Sequence, residues 1–291
     1  MSSNGALEGQ YVEILLGGKR VNVHFHDLGN RESKRPPLVM LHGSGPGASG
    51  ERNFSANYQH FVTCGFRVIL VDWPGWGKSD AFVCQGPRSG QNAHALRQFL
   101  DALKLQEPVH LLGNSMGAHS VAYFAIENPE SIAKLVLVSG GNGGRSLFHA
   151  APTEGFRKIL GFYQKPCLQT MQDFLDVLTF RPPSKEAALA RLEATMSRPD
   201  HIHSFCESFR LNPLPYPDLS DKLPGVRSPT LVIWGREDRI VPLDMGLRIT
   251  ALLPEAEMHI FGQCGHAPHL EQAQKFNRLV ASFLLGDPTG D

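Results

Sequence analysis

The segment Gly113-Asn114-Ser115-Met116-Gly117 contains a serine in surroundings that suit a nucleophile. It follows an apolar run at residues 109–112 and precedes a helix-like stretch at residues 118–127. A serine on a sharp strand-to-helix turn exposes its hydroxyl, and the turn brings the residues two before and two after it into close contact. Glycine fits both positions because it has no Cβ. The flanking strand and helix disfavour a chance match, so the segment predicts a nucleophile at Ser115.

A serine hydroxyl is a weak nucleophile near neutral pH and needs a base, usually oriented by a carboxylate. On this kind of turn, the acid and then the histidine follow the serine along the chain, on loops after later strands. Asp238 follows the apolar run 230–234 and is the predicted acid, with its neighbour Glu237 as the alternative. His266 follows the run 258–261 and is the predicted base.

A glycine-rich turn, Leu-His-Gly-Ser-Gly-Pro-Gly at residues 41–47, follows the apolar run 38–41. Such a turn can point backbone N–H groups to the place where the oxyanion of a tetrahedral intermediate forms. The predicted donors are the N–H groups of Ser44 and Met116. An ordinary tight turn or a phosphate cradle would also use glycines, but the Lys-Ser/Thr ending of a nucleotide-binding loop is absent.

Short apolar runs alternate with helix-length segments along most of the chain. Nearly continuous apolarity is typical of parallel strands that are covered on both faces. The pattern predicts an α/β fold with a mostly parallel sheet and helices on both faces. Alternating segments at residues 11–16 and 19–27 flank Gly17-Gly18, which predicts a two-residue hairpin and an antiparallel N-terminal edge.

Between residues 145 and 223 the strand pattern stops, and amphipathic segments bounded by prolines replace it. We interpret residues 145–223 as a helical lid inserted into the sheet domain. Residues 1–144 and 224–291 then form the core domain.

Composition limits the possible partners. Lys plus Arg and Asp plus Glu number 28 each, so the formal net charge is zero, and no basic stripe indicates nucleic acid or an anionic membrane. The first ten residues lack the apolar core of a signal peptide, and no run approaches the ~20 apolar residues of a membrane span. Five cysteines without a CxxC pair indicate neither disulfides nor a zinc site. We expect a cytoplasmic protein that acts on a small molecule and holds no metal.

With these loops placed, the chain resembles the α/β-hydrolase fold, and within it the meta-cleavage product hydrolases of bacterial aromatic degradation. The similar segments are residues 41–48, 113–117 and 234–242, and the likeness continues into the lid at residues 146–148 and 152–155. It covers nearly the whole chain, which makes it more specific than any single motif.

The resemblance implies hydrolysis of a carbon-carbon bond in a vinylogous 1,5-diketone, giving a 2-hydroxydienoate and a carboxylic acid. It implies no metal or organic cofactor, and a homodimer or larger homo-oligomer. A lone helix arginine such as Arg191 would by itself be read as solvated, but the resemblance makes it the residue that binds the dienoate end. The substrate-binding positions implied are Gly43, Gly45, Asn114, Leu178, Arg191 and Ala267.

The chain departs from this family beside the predicted base. Most relatives carry a tryptophan after the catalytic histidine and often another three residues later, where this chain has Ala267 and Leu270. His269 either makes a polar contact there or faces water at the rim. Alternative functions that use the same serine are a carboxylesterase, a lactonase or a cofactor-free perhydrolase. A ligand-binding receptor on the same fold is a further alternative.

Overall fold

The computed structural model describes residues 7–141 and 144–286. Within them, eight strands form one sheet in the order β1-β2-β4-β3-β5-β6-β7-β8. All neighbours from β4 to β8 pair in parallel, whereas β2 pairs antiparallel with both β1 and β4. The predicted mostly parallel sheet with an antiparallel N-terminal edge is therefore confirmed. The strands are β1 (Gln10–Leu16), β2 (Lys19–Leu28), β3 (Leu38–Leu41), β4 (Val68–Val71), β5 (Val109–Asn114), β6 (Ile132–Val138), β7 (Thr230–Gly235) and β8 (Ala256–Phe261).

The turn between β1 and β2 is the two-residue hairpin that the sequence predicts. Leu16 pairs with Lys19, and the two residues between them, Gly17 and Gly18, have φ angles of 58° and 75°. Two consecutive residues with positive φ match the twist of a hairpin, and glycine adopts that conformation without a steric penalty.

Helices cover both faces of the sheet, as predicted. Alternate residues of β3 belong to different hydrophobic clusters: Leu38 and Met40 pack with residues of α2 and α11, and Val39 and Leu41 pack with residues of α3 and α4. The helices are α1 (Gly50–Asn53), α2 (Tyr58–Thr63), α3 (Arg88–Ala102), α4 (Met116–Glu127), α5 (Glu154–Gln164), α6 (Leu168–Leu178), α7 (Lys185–Met196), α8 (Pro199–Leu211), α9 (Leu243–Leu252), α10 (Pro268–Glu271) and α11 (Ala273–Leu285).

Helices α5 to α8 lie in the segment predicted as a lid. Side chains of Thr153 and Ser184 cap α5 and α7 by accepting backbone N–H groups, and Pro199 begins α8. The Tyr163 and Phe205 rings stack with centroids 3.7 Å apart and so join α5 to α8. The domain boundaries stay a prediction. They include three segments that lie outside the described residues, namely 1–6, 142–143 and 287–291.

The helices α1 and α2 are short, with four and six residues, and hydrophobic periodicity does not indicate elements of that length. All five cysteines are free thiols. In the part of the chain that the structure describes, no helix is long and apolar enough to cross a membrane.

Candidate active site

Ser115 lies between the last residue of β5 and the first residue of α4, with φ 54° and ψ −118°. Positive φ is strained for a residue with a Cβ, and such strain persists only where the surroundings hold it. Here the Ser115 N–H donates to the Val138 carbonyl at 2.8 Å, and its own carbonyl accepts the His119 N–H at 3.0 Å. The backbone therefore holds Ser115 in the sharp strand-to-helix turn that the sequence predicts.

Glycines make this turn possible because backbone atoms fill the space where their side chains would be. A Cβ on Gly113 would lie 2.5 Å from the carbonyl carbon of Gly117, which agrees with the close approach predicted from the sequence. A Cβ on Gly117 would collide with the Leu41 carbonyl oxygen, and one on Gly140 with the Ser115 carbonyl oxygen. The requirement at Gly140 was missed, because it depends on packing between distant segments.

His266 and Asp238 form a buried pair. The His266 Nδ1 and Asp238 Oδ2 atoms are 2.8 Å apart, and the His266 backbone N–H donates to the Leu178 carbonyl at 2.9 Å. Asp238 Oδ1 accepts the N–H groups of Ile240 and Val241 at 2.8 and 2.9 Å. A carboxylate fixed in this way orients the imidazole with its proton on Nδ1 and leaves Nε2 able to accept one.

Glu237, the alternative acid, has a different role. Its Oε2 accepts the Cys264 N–H at 3.0 Å, and its Oε1 pairs with the Arg236 guanidinium at 2.6 Å. Burial raises the pKa of the Glu237 carboxyl. The Cys264 N–H and the Arg236 guanidinium together lower it by more than burial raises it, so the net shift is downward. The geometry thus favours Asp238 over Glu237 as the partner of the histidine.

The glycine-rich turn after β3 is anchored by His42. The Trp73 N–H donates to His42 Nε2 at 3.0 Å, so the proton lies on Nδ1, which is 2.7 Å from the Gly43 carbonyl oxygen. Burial lowers the pKa of His42, which keeps the ring neutral. Across residues 7–141 and 144–286, no protein group accepts the N–H of Ser44 or of Met116. Both donors are thus free for an oxyanion.

Two cavities meet at Ser115. A small one of about 50 Å³ is lined by Ser44, Ser115 and His266, and a larger one of about 580 Å³ by Ser44, Ser115 and Met116. Asp238 lines neither cavity and stays behind His266. The residues predicted to bind substrate all line the small cavity: Gly43, Gly45, Asn114, Leu178, Arg191 and Ala267.

Arg191 on α7 is half-buried between the glycine-rich turn and α6. Its Nε donates to the Pro46 carbonyl at 2.9 Å, and its guanidinium carbon lies 5.1 Å from the centroid of the Phe174 ring. Burial first, and then the charge of Arg52, lower the pKa of Arg191 to about 10, so it remains a cation near neutral pH. A half-buried cation that lines a cavity and has no ion-pair partner in the described structure suits an anionic ligand.

The residues that follow His266 line one side of the small cavity: Ala267, His269 and Leu270. His269 is 1% exposed, so the alternative in which it faces water at the rim is wrong. Its Nε2 contacts Asn53 Nδ2 at 3.1 Å, and its ring packs against Phe54 with centroids 5.5 Å apart. Burial and then His266 lower the pKa of His269 to about 3, which makes it a neutral polar contact. Ala267 is buried and lines the small cavity beside His266.

Comparisons with known proteins show the family to which the chain belongs. A family model described as the α/β-hydrolase fold matches residues 36–273. The chain is 46% identical over 281 residues to the 2-hydroxy-6-oxononadienedioate/2-hydroxy-6-oxononatrienedioate hydrolase of Paraburkholderia phymatum, covering 96% of both chains. It is 43% identical over 281 residues to the protein of the same name from Escherichia coli O139:H28, again covering 96% of both.

Among solved structures, the meta-cleavage product hydrolase of Pseudomonas fluorescens IP01 superposes with a TM-score of 0.80 at 29% identity, covering 94% of this chain and 97% of that one. That structure is of a serine-to-alanine variant complexed with acetates. The chain therefore belongs to the α/β-hydrolase fold family, and within it to the meta-cleavage product hydrolases that include the 2-hydroxy-6-oxononadienedioate hydrolases.

Proposed function

We propose that the chain is a serine-dependent hydrolase that cleaves a carbon-carbon bond in a meta-ring-fission product of the 2-hydroxy-6-oxo-2,4-dienoate type, in aromatic catabolism. The products would be a 2-hydroxydienoate and a carboxylic acid. The observation that carries the proposal is that Ser115, the histidine of the His266–Asp238 pair and the half-buried cation Arg191 line one small cavity. An ester hydrolase needs the first two, but a dienoate also needs the cation.

The two cavities at Ser115 suit the two ends of such a substrate. The dienoate end would lie in the small cavity, with its carboxylate beside Arg191 and Asn114, and the other end in the large cavity. The large cavity has an apolar wall that includes Phe156, Leu160 and Phe209. About 50 Å³ holds only one or two water molecules, so side chains around the small cavity must move apart to admit the dienoate.

The first chemical step makes the bond breakable. The proton of the 2-hydroxyl moves, with the help of His266, to C5 of the dienol chain, which becomes a keto tautomer. C5 is then a saturated carbon, bonded to the C6 ketone on one side and, on the other, to an alkene that is conjugated with the C2 ketone. A carbanion formed at C5 is therefore delocalised onto the C2 oxygen. Asp238 supports this step by holding the imidazole.

In the second step, Ser115 Oγ attacks C6 and gives its proton to His266 Nε2. The N–H groups of Ser44 and Met116 stabilise the oxyanion, each worth about 3 kcal/mol of barrier. Collapse of this intermediate breaks the C5–C6 bond, and its electron pair passes to the dienolate, which takes the proton from His266. Water, deprotonated by His266, then attacks the acyl-serine and releases the carboxylic acid.

An absorbance assay on a small panel of yellow ring-fission products, run beside p-nitrophenyl esters, tests the proposal. We expect one ring-fission product to be bleached with a much higher kcat/KM than any ester. Ester turnover that exceeds every ring-fission product would instead make the chain a carboxylesterase. Tight binding of a ring-fission product without turnover would support the receptor alternative.

Replacing Arg191 should separate dienoates from esters. We expect Arg191→Ala to lower kcat/KM for a ring-fission product by roughly 100-fold, because a charge-assisted hydrogen bond to its carboxylate is lost. Hydrolysis of p-nitrophenyl butyrate, which has no carboxylate, should change far less. Arg181→Ala, in an exposed arginine outside both cavities, is the control. Equal losses on both substrates would show that Arg191 is structural.

The remaining expectations stay predictions. From the family resemblance we propose a homodimer or larger homo-oligomer. From the composition and the lack of signal-peptide or membrane-span patterns we propose a cytoplasmic location and a small-molecule substrate as the partner.

A further inference from the structure

The small Ser115 cavity borders a second, polar cleft of about 600 Å³. This cleft lies between α7, α8 and the loops that follow β3 and β4. Both spaces are lined by Ala48 and Arg52. In the described part of the chain, Arg52 is thus the charged residue common to the two. It stands at the mouth of the small cavity, on the short helix α1.

The small cavity carries an excess of positive charge. Its described lining includes Arg52 and Arg191 but neither an aspartate nor a glutamate. The two guanidinium groups lie close enough for Arg52 to lower the pKa of Arg191, after the larger effect of burial. Two like charges without a neutralising acid repel each other, and a bound anion would relieve that repulsion.

The residues on either side of Arg52 already have polar side-chain partners, whereas the described residues provide none for its own guanidinium. The Glu51 carboxylate lies 3.6 Å from His26 Nε2, and Asn53 Nδ2 contacts His269 Nε2. Ser49 Oγ accepts the Arg52 backbone N–H at 3.1 Å and so fixes the main chain. Within residues 7–141 and 144–286, the Arg52 guanidinium makes neither an ion pair nor a hydrogen bond.

We propose that Arg52 is a second anion-binding residue of the small cavity, which acts beside Arg191 to favour a substrate end with two anionic oxygens on neighbouring carbons. The inference rests on the proposed function, because a 2-hydroxydienoate end has a carboxylate and an ionisable oxygen on the next carbon. Cleavage of the C5–C6 bond sends an electron pair onto that end. The positive charge of Arg52 at the mouth of the cavity would stabilise this additional negative charge.

Inhibition of ester hydrolysis tests the inference without any carbon-carbon cleavage. p-Nitrophenyl acetate is the substrate, and oxalate and acetate are the inhibitors. Oxalate has anionic oxygens on two neighbouring carbons, and acetate has one carboxylate. The variants are Arg52→Gln, which removes the charge, and Arg52→Lys, which keeps it. Lys78→Gln is the matched control, because Lys78 lines the polar cleft but not the small cavity.

We expect Arg52→Gln to raise the inhibition constant of oxalate about tenfold, as for a lost hydrogen bond to a charged group, and that of acetate about twofold at most. Arg52→Lys should restore much of the oxalate inhibition, and Lys78→Gln should change neither constant. The inference would be overturned if Arg52→Gln left the inhibition constant of oxalate unchanged or raised that of acetate equally. It would also be overturned if Lys78→Gln had the same effect. Oxalate inhibition that depends on Arg52, in an enzyme that cleaves no ring-fission product, would refute the proposed function alone.

Discussion

Ser115→Ala should still bind the ring-fission product but turn it over roughly 10⁴- to 10⁶-fold more slowly, as for other removals of a catalytic serine. The turn at Ser115 is fixed by backbone contacts, namely its N–H to Val138 and its carbonyl to His119. The side chain can therefore lose its hydroxyl without release of the turn. The small cavity and Arg191 also remain, which preserves binding.

Stopped-flow absorbance with excess enzyme measures binding and turnover of the ring-fission product separately. Ser139→Ala is a closely matched control, since Ser139 is also buried, follows a strand and has a positive φ of 49°. Ser139 lines neither cavity at Ser115. Near-normal turnover by Ser115→Ala, or a comparable loss in Ser139→Ala, would remove Ser115 from the role of nucleophile.

Features that depend on local sterics could be predicted from the sequence. The Gly17-Gly18 hairpin and the glycines around Ser115 follow from backbone conformations that other residues adopt only with strain. The chain order of serine, acid and histidine follows from strand connections in this kind of sheet. The choice between Asp238 and Glu237 does not follow from chain order, because it depends on the direction that each side chain takes after β7.

Features that depend on packing between distant segments escaped prediction. His269 is isolated in sequence from Asn53 and Phe54, yet their contacts bury it and make it neutral. Arg52 reads as a solvated helix arginine until the two cavities on either side of it are known. The sequence offered a polar contact as one of two possibilities for His269, but it could not identify Asn53 as the partner, because the two residues meet only in the folded chain.

Asp238→Asn should lower kcat by roughly 10⁴-fold because it favours the wrong tautomer of His266. The Ile240 and Val241 N–H groups both donate to Asp238 Oδ1. An asparagine retains these two hydrogen bonds only if its amide oxygen takes the place of Oδ1, which turns its NH₂ group toward His266 Nδ1. Nδ1 must then accept a hydrogen bond, so the imidazole proton moves to Nε2. With that proton on Nε2, His266 cannot accept the proton of Ser115.

Glu237→Gln is the matched control for this prediction, because it makes the same chemical change one residue earlier. The Glu237 carboxylate accepts the Cys264 N–H and pairs with Arg236, and an amide oxygen can keep the first of these contacts. We expect Glu237→Gln to lose some thermal stability, measured as Tm, and to keep most of its kcat. If instead Glu237→Gln lost as much kcat as Asp238→Asn, the histidine would depend on the whole acid loop and not on Asp238 alone.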